Sequence, residues 1–309
     1  MTGGGEAGGD AGALRRLDAV LRERHPGLSR AEIAEAIAGG AVRVNGRRAA
    51  KGTKVGEGDV IDDAALAALE ASGLGGAGAP EVEVVWEDEW LAGLHKPAGM
   101  PTQPIRHGER GTLVDGMLAR WPEMAGVGGD ALCPAVVHRI DIGTSGLVLA
   151  AKTAEAYEAM RRMFRRGEVE KTYLALVAGR VTEGGRTSAP LRHRTRHPCR
   201  MEIAEPGRDG ERFPAATEWK PLGPPREDGT TLLEVKIRSG VTHQIRCHLA
   251  SAGTPIVGDT LYGAPAWNRP GHALHSWAAS FRHPVTGAPT EVRVRRPEWG
   301  AGLKPRSAT

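Results

Sequence analysis

The chain has few cysteines and no long apolar run. Its 309 residues include three cysteines, Cys133, Cys199 and Cys247, which are too few and too scattered for a disulfide framework, so a reducing cytoplasm is the expected compartment. No stretch approaches the roughly 18 consecutive apolar residues of a membrane-spanning helix. Residues 1–12 are Gly-rich, with Glu and Asp but no apolar core. We therefore expect a disordered tail there rather than a signal peptide or anchor.

Net charge is also small, at +4, and does not by itself require a nucleic-acid partner. The distribution of the arginines is more informative than the sum. Two groups of arginines are closely spaced: Arg161, Arg162, Arg165 and Arg166, and Arg192, Arg194, Arg196 and Arg200. Clustered cations favour phosphate contact, although a solvated basic face explains the same clusters on charge alone.

Near the N-terminus the pattern predicts two helices followed by a hairpin. Leu14, Leu17 and Leu21 recur at helical spacing. A capping box at residues 29–32 opens a second helix, which Gly39 and Gly40 end. Val42-Arg43-Val44 alternates like a strand, and Asn45-Gly46 predicts a type I′ turn.

This helix–helix–hairpin order, with Ser-Arg at the second helix and Val-Arg-Val-Asn-Gly in the hairpin, resembles the S4 RNA-binding domain. The resemblance implies a small α/β RNA-binding domain. It also implies that basic side chains face RNA phosphates, namely Arg15, Arg16, Arg30, Arg43, Arg47, Arg48 and Lys51.

A Gly- and Ala-rich stretch follows and predicts a flexible linker that makes the chain a bivalent RNA binder. The expected layout has five segments: a tail at 1–12, an S4-like domain at 13–70, a linker at 71–80, a catalytic domain at 81–300 and a tail at 301–309.

The most informative stretch is residues 138–150, where His-Arg-Ile-Asp runs into a Thr-Ser-Gly turn and then an apolar strand. Turns hold functional side chains that strands would commit to a core. Asp141 lies there among potential cations, a setting that suits an ionised nucleophile. A capped turn with a surface ion pair is the alternative for an arbitrary Arg-x-Asp.

A second string, Gly-Val-Thr-His-Gln-Ile-Arg-Cys-His-Leu at 240–249, leads into Gly-Asp-Thr-Leu-Tyr-Gly at 258–263. Together with Lys-Thr-Tyr-Leu-Ala at 171–175, these motifs resemble the pseudouridine synthases of the RluA type over residues 81–298. Strands are expected at 171–177 and 232–237, a helix at 154–166, and a further helix that Thr242 caps and that runs through Ala252. This irregular mixture of strands and helices predicts an α+β catalytic domain with a mixed or antiparallel sheet. The resemblance implies the same fold.

The resemblance also assigns roles. Asp141 matches the family nucleophile, Arg246 the arginine that pairs with it, and Tyr173 the tyrosine that stacks on the target base and takes part in proton transfer. Arg139 matches an arginine that fills the place of the flipped base. No cofactor is implied.

Other residues near these motifs have simpler expected roles. We expect His138 to order its loop and the small residues 143–146 to shape the turn. A zinc site was considered at His193, His197 and Cys199, and at His243 and Cys247. Because structural zinc takes four compactly spaced ligands, we expect no metal.

Three positions depart from the family pattern. Val241 replaces an arginine, Ile142 a basic residue, and Gln103 a histidine. Two cations are therefore missing near the cleft, which leaves the RNA target open.

These features predict an RNA pseudouridine synthase that is cytoplasmic, monomeric and without a membrane partner. Ribosomal RNA is the favoured substrate, and transfer RNA is possible. A catalytically silent RNA-binding factor, for example in ribosome assembly, is the alternative that the missing cations suggest. A nucleoside hydrolase or glycosidase is a third reading, but such enzymes commonly need a second carboxylate or a metal.

Overall fold

The structure, a computed structural model, describes residues 14–26, 28, 30–71, 78–106, 109–195, 199–205 and 212–300. These residues form two compact units. The first contains the described residues up to 71 with 105–106 and 109–110, and the second contains 78–104 and 111–300. Both predicted tails, part of the predicted linker and the serine of the predicted capping box lie outside the described residues. In the part of the chain described, no helix has the length and apolar character to cross a bilayer.

The first unit is built from short elements. In chain order they are β1 (Arg15–Arg16), α1 (Leu17–Arg24), α2 (Arg30–Ala38), β2 (Arg43–Val44), β3 (Arg47–Arg48), β4 (Lys54–Val55), β5 (Ile61–Asp62) and α3 (Ala64–Ala71). Strand β1 pairs with β4, and β2 lies between β3 and β5. Apolar residues four apart on the helices, such as Leu17 with Leu21 and Ile33 with Ile37, share one buried core with Val42.

The predicted hairpin is present. Asn45 and Gly46 have φ of 51° and 78°, as a type I′ turn requires, and β2 pairs with β3 across them. The predicted first helix starts later than its leucine spacing suggests. Arg15 and Arg16 pair with β4 as a strand, so Leu14 lies before this strand and is exposed instead of facing the core.

The second unit contains the larger sheet and three α-helices among its described residues. Its elements are β6 (Glu83–Glu87), β7 (Leu91–Lys96), α4 (Leu113–Arg120), β8 (Ser145–Ala151), α5 (Ala154–Arg166), β9 (Glu170–Ala178), β10 (Gly185–Thr187), β11 (Leu191–Thr195), β12 (Arg200–Ile203), β13 (Thr217–Pro221), β14 (Thr230–Ile237), α6 (Gln244–Ser251), β15 (Leu274–Arg282) and β16 (Pro289–Arg293).

The described residues form a nine-stranded sheet in the order β10-β13-β14-β9-β15-β8-β7-β6, with β16 also paired to β15. Strands β15 and β8 run parallel, while the other neighbours within this described sheet are antiparallel. Strands β11 and β12 form a separate hairpin. The predicted α+β class with a mixed sheet is confirmed.

Helices α5 and α6 bury their apolar sides in two cores. Met160 of α5 packs in a cluster with Leu147 and Leu149 of β8. Ile245 and Leu249 of α6 pack in a cluster with residues of β9 and β14. These contacts place the start of β8, the middle of β9 and the first turn of α6 at fixed positions in the unit.

The predicted Thr242 cap of the last helix is wrong. Helix α6 begins at Gln244, and its N-cap is His243 in the left-handed region, with φ of 53° and no capping hydrogen bond from its side chain. The Gln244 side chain instead accepts from the Val241 N–H at 3.2 Å. This hydrogen bond satisfies the N–H of Val241, which precedes the helix, so it does not cap the first N–H groups of α6.

Candidate active site

Asp141 lies in the loop before β8. The backbone carbonyls on either side of it accept hydrogen bonds from the segment at 99–102. The Thr102 hydroxyl donates to the carbonyl of Ile140 at 2.9 Å. The Gly99 N–H donates to the carbonyl of Ile142 at 2.8 Å. Because the carbonyls on both sides of Asp141 are bound, the loop presents its carboxylate in a defined place.

Lys96 also binds the Asp141 loop. Its side chain is fully buried, and its Nζ donates to the carbonyls of Met100 at 2.7 Å, Pro97 at 3.0 Å and Ile142 at 3.2 Å. Burial lowers the pKa of Lys96 to about 7, and the charge of Asp141 opposes this effect. Three acceptors match the three protons of an ammonium group, so the contacts favour the charged form.

The Thr-Ser-Gly turn is architectural, as expected. The Thr144 N–H donates to the Asp141 carbonyl at 3.0 Å, and the Thr144 hydroxyl contacts Nε2 of His272 at 2.9 Å. Gly146 has φ of 113°, and a Cβ there would lie 2.1 Å from the Ser276 carbonyl oxygen. A side chain at Gly146 would therefore clash with β15 as well as strain the backbone.

Arg246 joins two carboxylates. Its Nε and Nη2 donate to the two oxygens of Asp259, at 2.7 Å and 2.9 Å. Its Nη1 donates to Oδ2 of Asp141 at 3.0 Å. The Asp259 side chain is 1% exposed and that of Asp141 is 26% exposed. Asp259 is therefore a buried anchor for the guanidinium, whereas the carboxylate of Asp141 is partly exposed.

The two aspartates keep the Arg246 guanidinium charged. Burial alone would disfavour the Arg246 cation, but the hydrogen bonds with Asp259 and the charges of both aspartates outweigh it and raise the pKa of the guanidinium. No described residue hydrogen-bonds Oδ1 of Asp141. One carboxylate oxygen is thus held by Arg246 while the other remains available to a substrate.

Tyr173 lies in β9, between Val235 of β14 and Ser276 of β15, and is buried. Burial raises the pKa of its phenol far above the usual value, and the nearby charge of Asp141 acts in the same direction. The phenol therefore stays protonated through the physiological pH range. The structure brings together Asp141, Arg246 and Tyr173, the predicted catalytic residues.

His243 also faces this site. Its Nε2 lies 3.8 Å from Oδ2 of Asp141, and its Nδ1 lies 3.2 Å from the hydroxyl of Tyr262. Burial lowers the pKa of His243 although the charge of Asp141 opposes it. The Tyr262 ring stands 5.2 Å from the Arg246 guanidinium, so both aromatic groups border the ion-pair network.

His138 and Arg139 differ in environment. Nε2 of His138 accepts from the Leu149 N–H at 3.0 Å, and burial lowers the pKa of His138 to about 3. A neutral imidazole that joins the loop to β8 fits the expected ordering role. Arg139 is exposed and donates from Nη1 to Gln103 at 3.1 Å, so Gln103, one of the departures, contacts the arginine expected to replace the flipped base.

The other two departures lie in different surroundings. Val241 packs against an apolar cluster that includes Leu191, Met201 and Tyr262. Ile142 is exposed beside Asp141. The valine is therefore accommodated by packing, and the isoleucine presents an apolar side chain where the family pattern has a cation.

Those side chains considered for zinc that the structure describes are not grouped as a metal site. Among the described residues, no group of three or more His, Cys, Asp or Glu side chains could hold a metal. Nδ1 of His193 lies 3.9 Å from Sγ of Cys199, and Cys247 is buried with its pKa raised to about 11 by burial. His197 lies outside the described residues.

The predicted RNA-binding residues of the first unit are exposed but differ in their partners. They are Arg15, Arg16, Arg30, Arg43, Arg47, Arg48 and Lys51. Arg15 is paired with Glu23, and Arg16 contacts Asp18 at 2.9 Å. Within the described part of the chain, no carboxylate pairs with the cations of the β2–β3 hairpin or Lys51.

The hairpin also places two cations opposite each other, since Arg43 and Arg48 are register partners. Like charges that face each other across strands are destabilising. An anion bound at the hairpin would relieve that repulsion.

Three residues at the site have roles that the sequence does not predict. Asp259 lies in the motif at 258–263 and Lys96 in Lys-Pro-Ala-Gly at 96–99. Nothing in their spacing shows that Asp259 anchors Arg246 and that Lys96 holds the Asp141 loop. His243 was considered as a zinc ligand. A buried charge needs a partner, and that rule could have paired Arg246 with an aspartate of the following motif.

Comparisons with known proteins identify the family. Residues 91–251 match the family model described as RNA pseudouridylate synthase, and residues 15–61 match the S4 domain. The chain is 32% identical to ribosomal large subunit pseudouridine synthase D of Xanthomonas campestris, over 94% of this chain and 88% of the relative.

Two further matches support the assignment. An uncharacterized RNA pseudouridine synthase of Chloroflexus aurantiacus is 38% identical over 80% of this chain and 75% of its own. The solved structure of human RNA pseudouridylate synthase domain containing 1 shares the fold, with a TM-score of 0.55 at 23% identity over 70% of this chain and 84% of that chain. The chain therefore belongs to the RNA pseudouridylate synthase family of enzymes, and its N-terminal unit carries an S4 domain.

Proposed function

We propose that this protein isomerises specific uridines in structured RNA, with large-subunit ribosomal RNA as the substrate and Asp141 as the nucleophile. The observation that carries the proposal is the Asp141–Arg246 contact of 3.0 Å at a partly exposed carboxylate. Relatives named ribosomal large subunit pseudouridine synthase D support the choice of RNA. The protein acts in the cytoplasm as a monomer.

The reaction breaks the bond between C1′ and N1 of uridine, turns the base and joins C1′ to C5. In this proposal, Oδ1 of Asp141 forms a transient bond with the target nucleotide, at C1′ of the ribose or at the base, while Arg246 holds Oδ2. That bond breaks as C1′ joins C5, C5 loses its proton and N1 gains one, so the product is an isomer of the substrate. An ordinary uridine within folded RNA must first leave its stack. Arg139, exposed on the same loop, enters the vacated position.

Tyr173 supplies a neutral phenol next to the reacting base. Because its pKa is raised by burial, the phenol serves as a stacking surface and as a hydrogen-bond donor instead of a permanent anion. The ring of Tyr173 and the carboxylate of Asp141 thus contact the same target nucleotide.

A glycosidase mechanism fits these residues less well. Such enzymes use two carboxyl groups that both reach the substrate. Asp259, which also contacts Arg246, is buried, and both of its oxygens accept hydrogen bonds from the guanidinium. Its carboxylate therefore does not reach a substrate. We therefore propose isomerisation without release of uracil.

The test compares ribosomal RNA from cells that lack the protein with RNA treated with the wild type or with Asp141→Asn. We expect carbodiimide mapping to find at least one uridine that is converted by the wild type and left unchanged by the variant. Equal pseudouridine with both proteins would refute the role of Asp141. Rescue of the growth of a deletion strain by Asp141→Asn would instead support a silent assembly factor.

A further inference from the structure

Nε2 of His243 and Oδ2 of Asp141 lie at a separation that one hydroxyl oxygen can bridge. Nε2 of His243 lies 3.8 Å from Oδ2 of Asp141, which is too long for a direct hydrogen bond. No other polar atom of the described residues is within hydrogen-bond distance of this nitrogen. The two side chains are 12% and 26% exposed, so a ligand atom can reach both.

The Tyr262 hydroxyl contacts Nδ1, the other ring nitrogen of His243. The Tyr262 oxygen accepts from the Met201 N–H at 2.9 Å, and its own proton has two possible acceptors, the Met201 carbonyl and Nδ1 of His243, each at 3.2 Å. If the hydroxyl donates to Nδ1, the proton of the neutral ring lies on Nε2. The negative charge of Asp141 beside Nε2 favours this tautomer.

The backbone conformation of His243 indicates that surrounding contacts fix the orientation of its ring. Its φ of 53° lies in the left-handed region, where a residue other than glycine costs about 1–2 kcal/mol. Surrounding contacts maintain such a conformation. Here the ring is held on one side by Tyr262 at a centroid distance of 5.8 Å, and the adjacent Gln244 side chain donates to the Ala216 carbonyl at 2.9 Å.

We propose that His243, in the Nε2–H tautomer set by Tyr262, binds the ribose 2′-hydroxyl of the target nucleotide together with Asp141. This inference rests on the proposed function. A hydroxyl can accept from Nε2–H and donate to a carboxylate at the same time. The 2′-hydroxyl is carried by the carbon next to C1′, where the glycosidic bond breaks, so it lies beside the nucleophile. The contact makes the site selective for ribonucleotides.

Tyr262 also ties this contact to the β11–β12 hairpin. Its hydroxyl bonds the backbone of Met201 in β12, and its ring lies 5.7 Å from the Arg200 guanidinium at the start of that strand. Tyr262 is thus a positioning residue, because it orients His243 and does not reach the substrate hydroxyl itself.

The experiment uses a synthetic RNA that contains the uridine found by pseudouridine mapping, with either a 2′-hydroxyl or a 2′-hydrogen at that nucleotide. A third RNA carries the 2′-hydrogen at the neighbouring nucleotide as a control. The full-length wild type, His243→Asn and Tyr262→Phe are compared in single-turnover reactions. Asparagine tolerates the left-handed backbone, and phenylalanine keeps the ring of Tyr262.

We expect the wild type to react about tenfold to hundredfold more slowly when the target 2′-hydroxyl is absent, the range for a lost hydrogen bond to a charged partner. We expect His243→Asn to show about a threefold to tenfold smaller difference between the two RNAs than the wild type, because the neutral Nε2–H contact is lost while the contact with Asp141 remains. The control RNA should react at the unmodified rate. Tyr262→Phe should show an intermediate dependence.

A spectroscopic measurement tests the tautomer separately. In protein labelled with ¹⁵N-histidine, the signal absent from His243→Asn should show a protonated Nε2 in the wild type and a mixture of tautomers in Tyr262→Phe. This readout does not change if Tyr262 only fills space. If His243→Asn fails to fold, Tyr262→Phe replaces it in the rate comparison, where a 2′-hydroxyl effect equal to that of the wild type refutes the role of Tyr262.

Two failures can be told apart. If the wild type forms no pseudouridine in any RNA, the proposed function is refuted and the inference with it. If the wild type is active but the effect of the 2′-hydroxyl is the same in the wild type and the variants, the proposed function stands and the role of His243 is refuted.

Discussion

The effect of Asp259→Asn on stability, compared with that of Asp141→Asn, distinguishes the aspartate that anchors Arg246 from the aspartate that acts as nucleophile. Asp259 is buried and accepts two hydrogen bonds from Arg246, while Asp141 is partly exposed and accepts one. Removal of one partner of a buried ion pair costs about 3–5 kcal/mol, because the other charge is left without compensation. We therefore expect Asp259→Asn to destabilise the catalytic unit much more than Asp141→Asn does.

The magnitude follows from the contacts. Asparagine keeps one amide oxygen that can still accept from Arg246, and Asp141 remains 3.0 Å from the guanidinium, so we expect the low end of the range, about 3 kcal/mol. For a unit of this size that loss lowers the melting temperature by about 6–12 °C. Asp141→Asn removes a single contact at a partly exposed carboxylate and should cost about 1 kcal/mol or less.

Tryptophan fluorescence provides the assay. All seven tryptophans lie between Trp86 and Trp299, in the second unit, so the signal reports the unfolding of that unit without a contribution from the S4 domain. Single-turnover rates measured alongside should fall about tenfold to hundredfold in Asp259→Asn, because a displaced Arg246 no longer holds the Asp141 oxygen in place.

A double-mutant cycle with Arg246→Met isolates the pair. When the arginine is already absent, Asp259→Asn should cost at least about 2 kcal/mol less than it does in the wild type. If the two aspartate variants are equally stable, or if the cycle shows additive effects, Asp259 is not the anchor and the reasoning is refuted.

Two further predictions concern pH and salt. His275 accepts from Ser145 at Nδ1 and donates to the Arg295 carbonyl at Nε2, and burial lowers its pKa to about 4. The unfolded chain binds this proton below about pH 6.5 and the folded protein only near pH 4, so stability should fall as pH falls between those values. At pH 4, protonation of His275 in the unfolded chain lowers the free energy of unfolding by about 3 kcal/mol. The free energy of unfolding of His275→Gln, measured by urea titration at several pH values, should therefore fall less between about pH 6.5 and pH 4. The same pH dependence in the wild type and the variant would contradict the assignment. Arg47→Gln should reduce the slope of log affinity for a ribosomal RNA fragment against log salt by about 0.7–0.9, whereas Arg16→Gln, whose side chain is paired with Asp18, should change it less; equal effects would argue against phosphate contact by the hairpin.

Local patterns predicted much of the fold. The spacing of Leu17 and Leu21 and the Asn45-Gly46 turn act over a few residues, so the helix and hairpin of the S4 domain could be predicted. In the second unit, β9 and most of β14 were expected as strands and α5 from its helical spacing. Strands β10 and β15 were not predicted, because their backbones are paired with distant segments. Strand β16 was also missed, although it pairs with its neighbour β15 across a short connection.

The active site shows the same division. Asp141, Tyr173 and Arg246 could be chosen from three separate motifs that resemble a family. Their partners could not, because Asp259, Lys96 and His243 act through contacts that depend on how the strands and α6 are arranged. Thr242 was predicted to cap α6 on residue type alone, yet the cap belongs to His243, whose left-handed backbone is maintained by tertiary contacts.

The sequence by itself determined which residue types were available for chemistry, since a carboxylate, a phenol and a guanidinium are properties of Asp141, Tyr173 and Arg246 that no fold alters. Tertiary structure alone decided which oxygen of Asp141 is held and which is free, because that depends on a guanidinium contributed from more than a hundred residues away and anchored by a buried aspartate. Short-range order follows from neighbours along the chain, whereas the orientation of charges in a cleft follows from the packing of distant strands and helices.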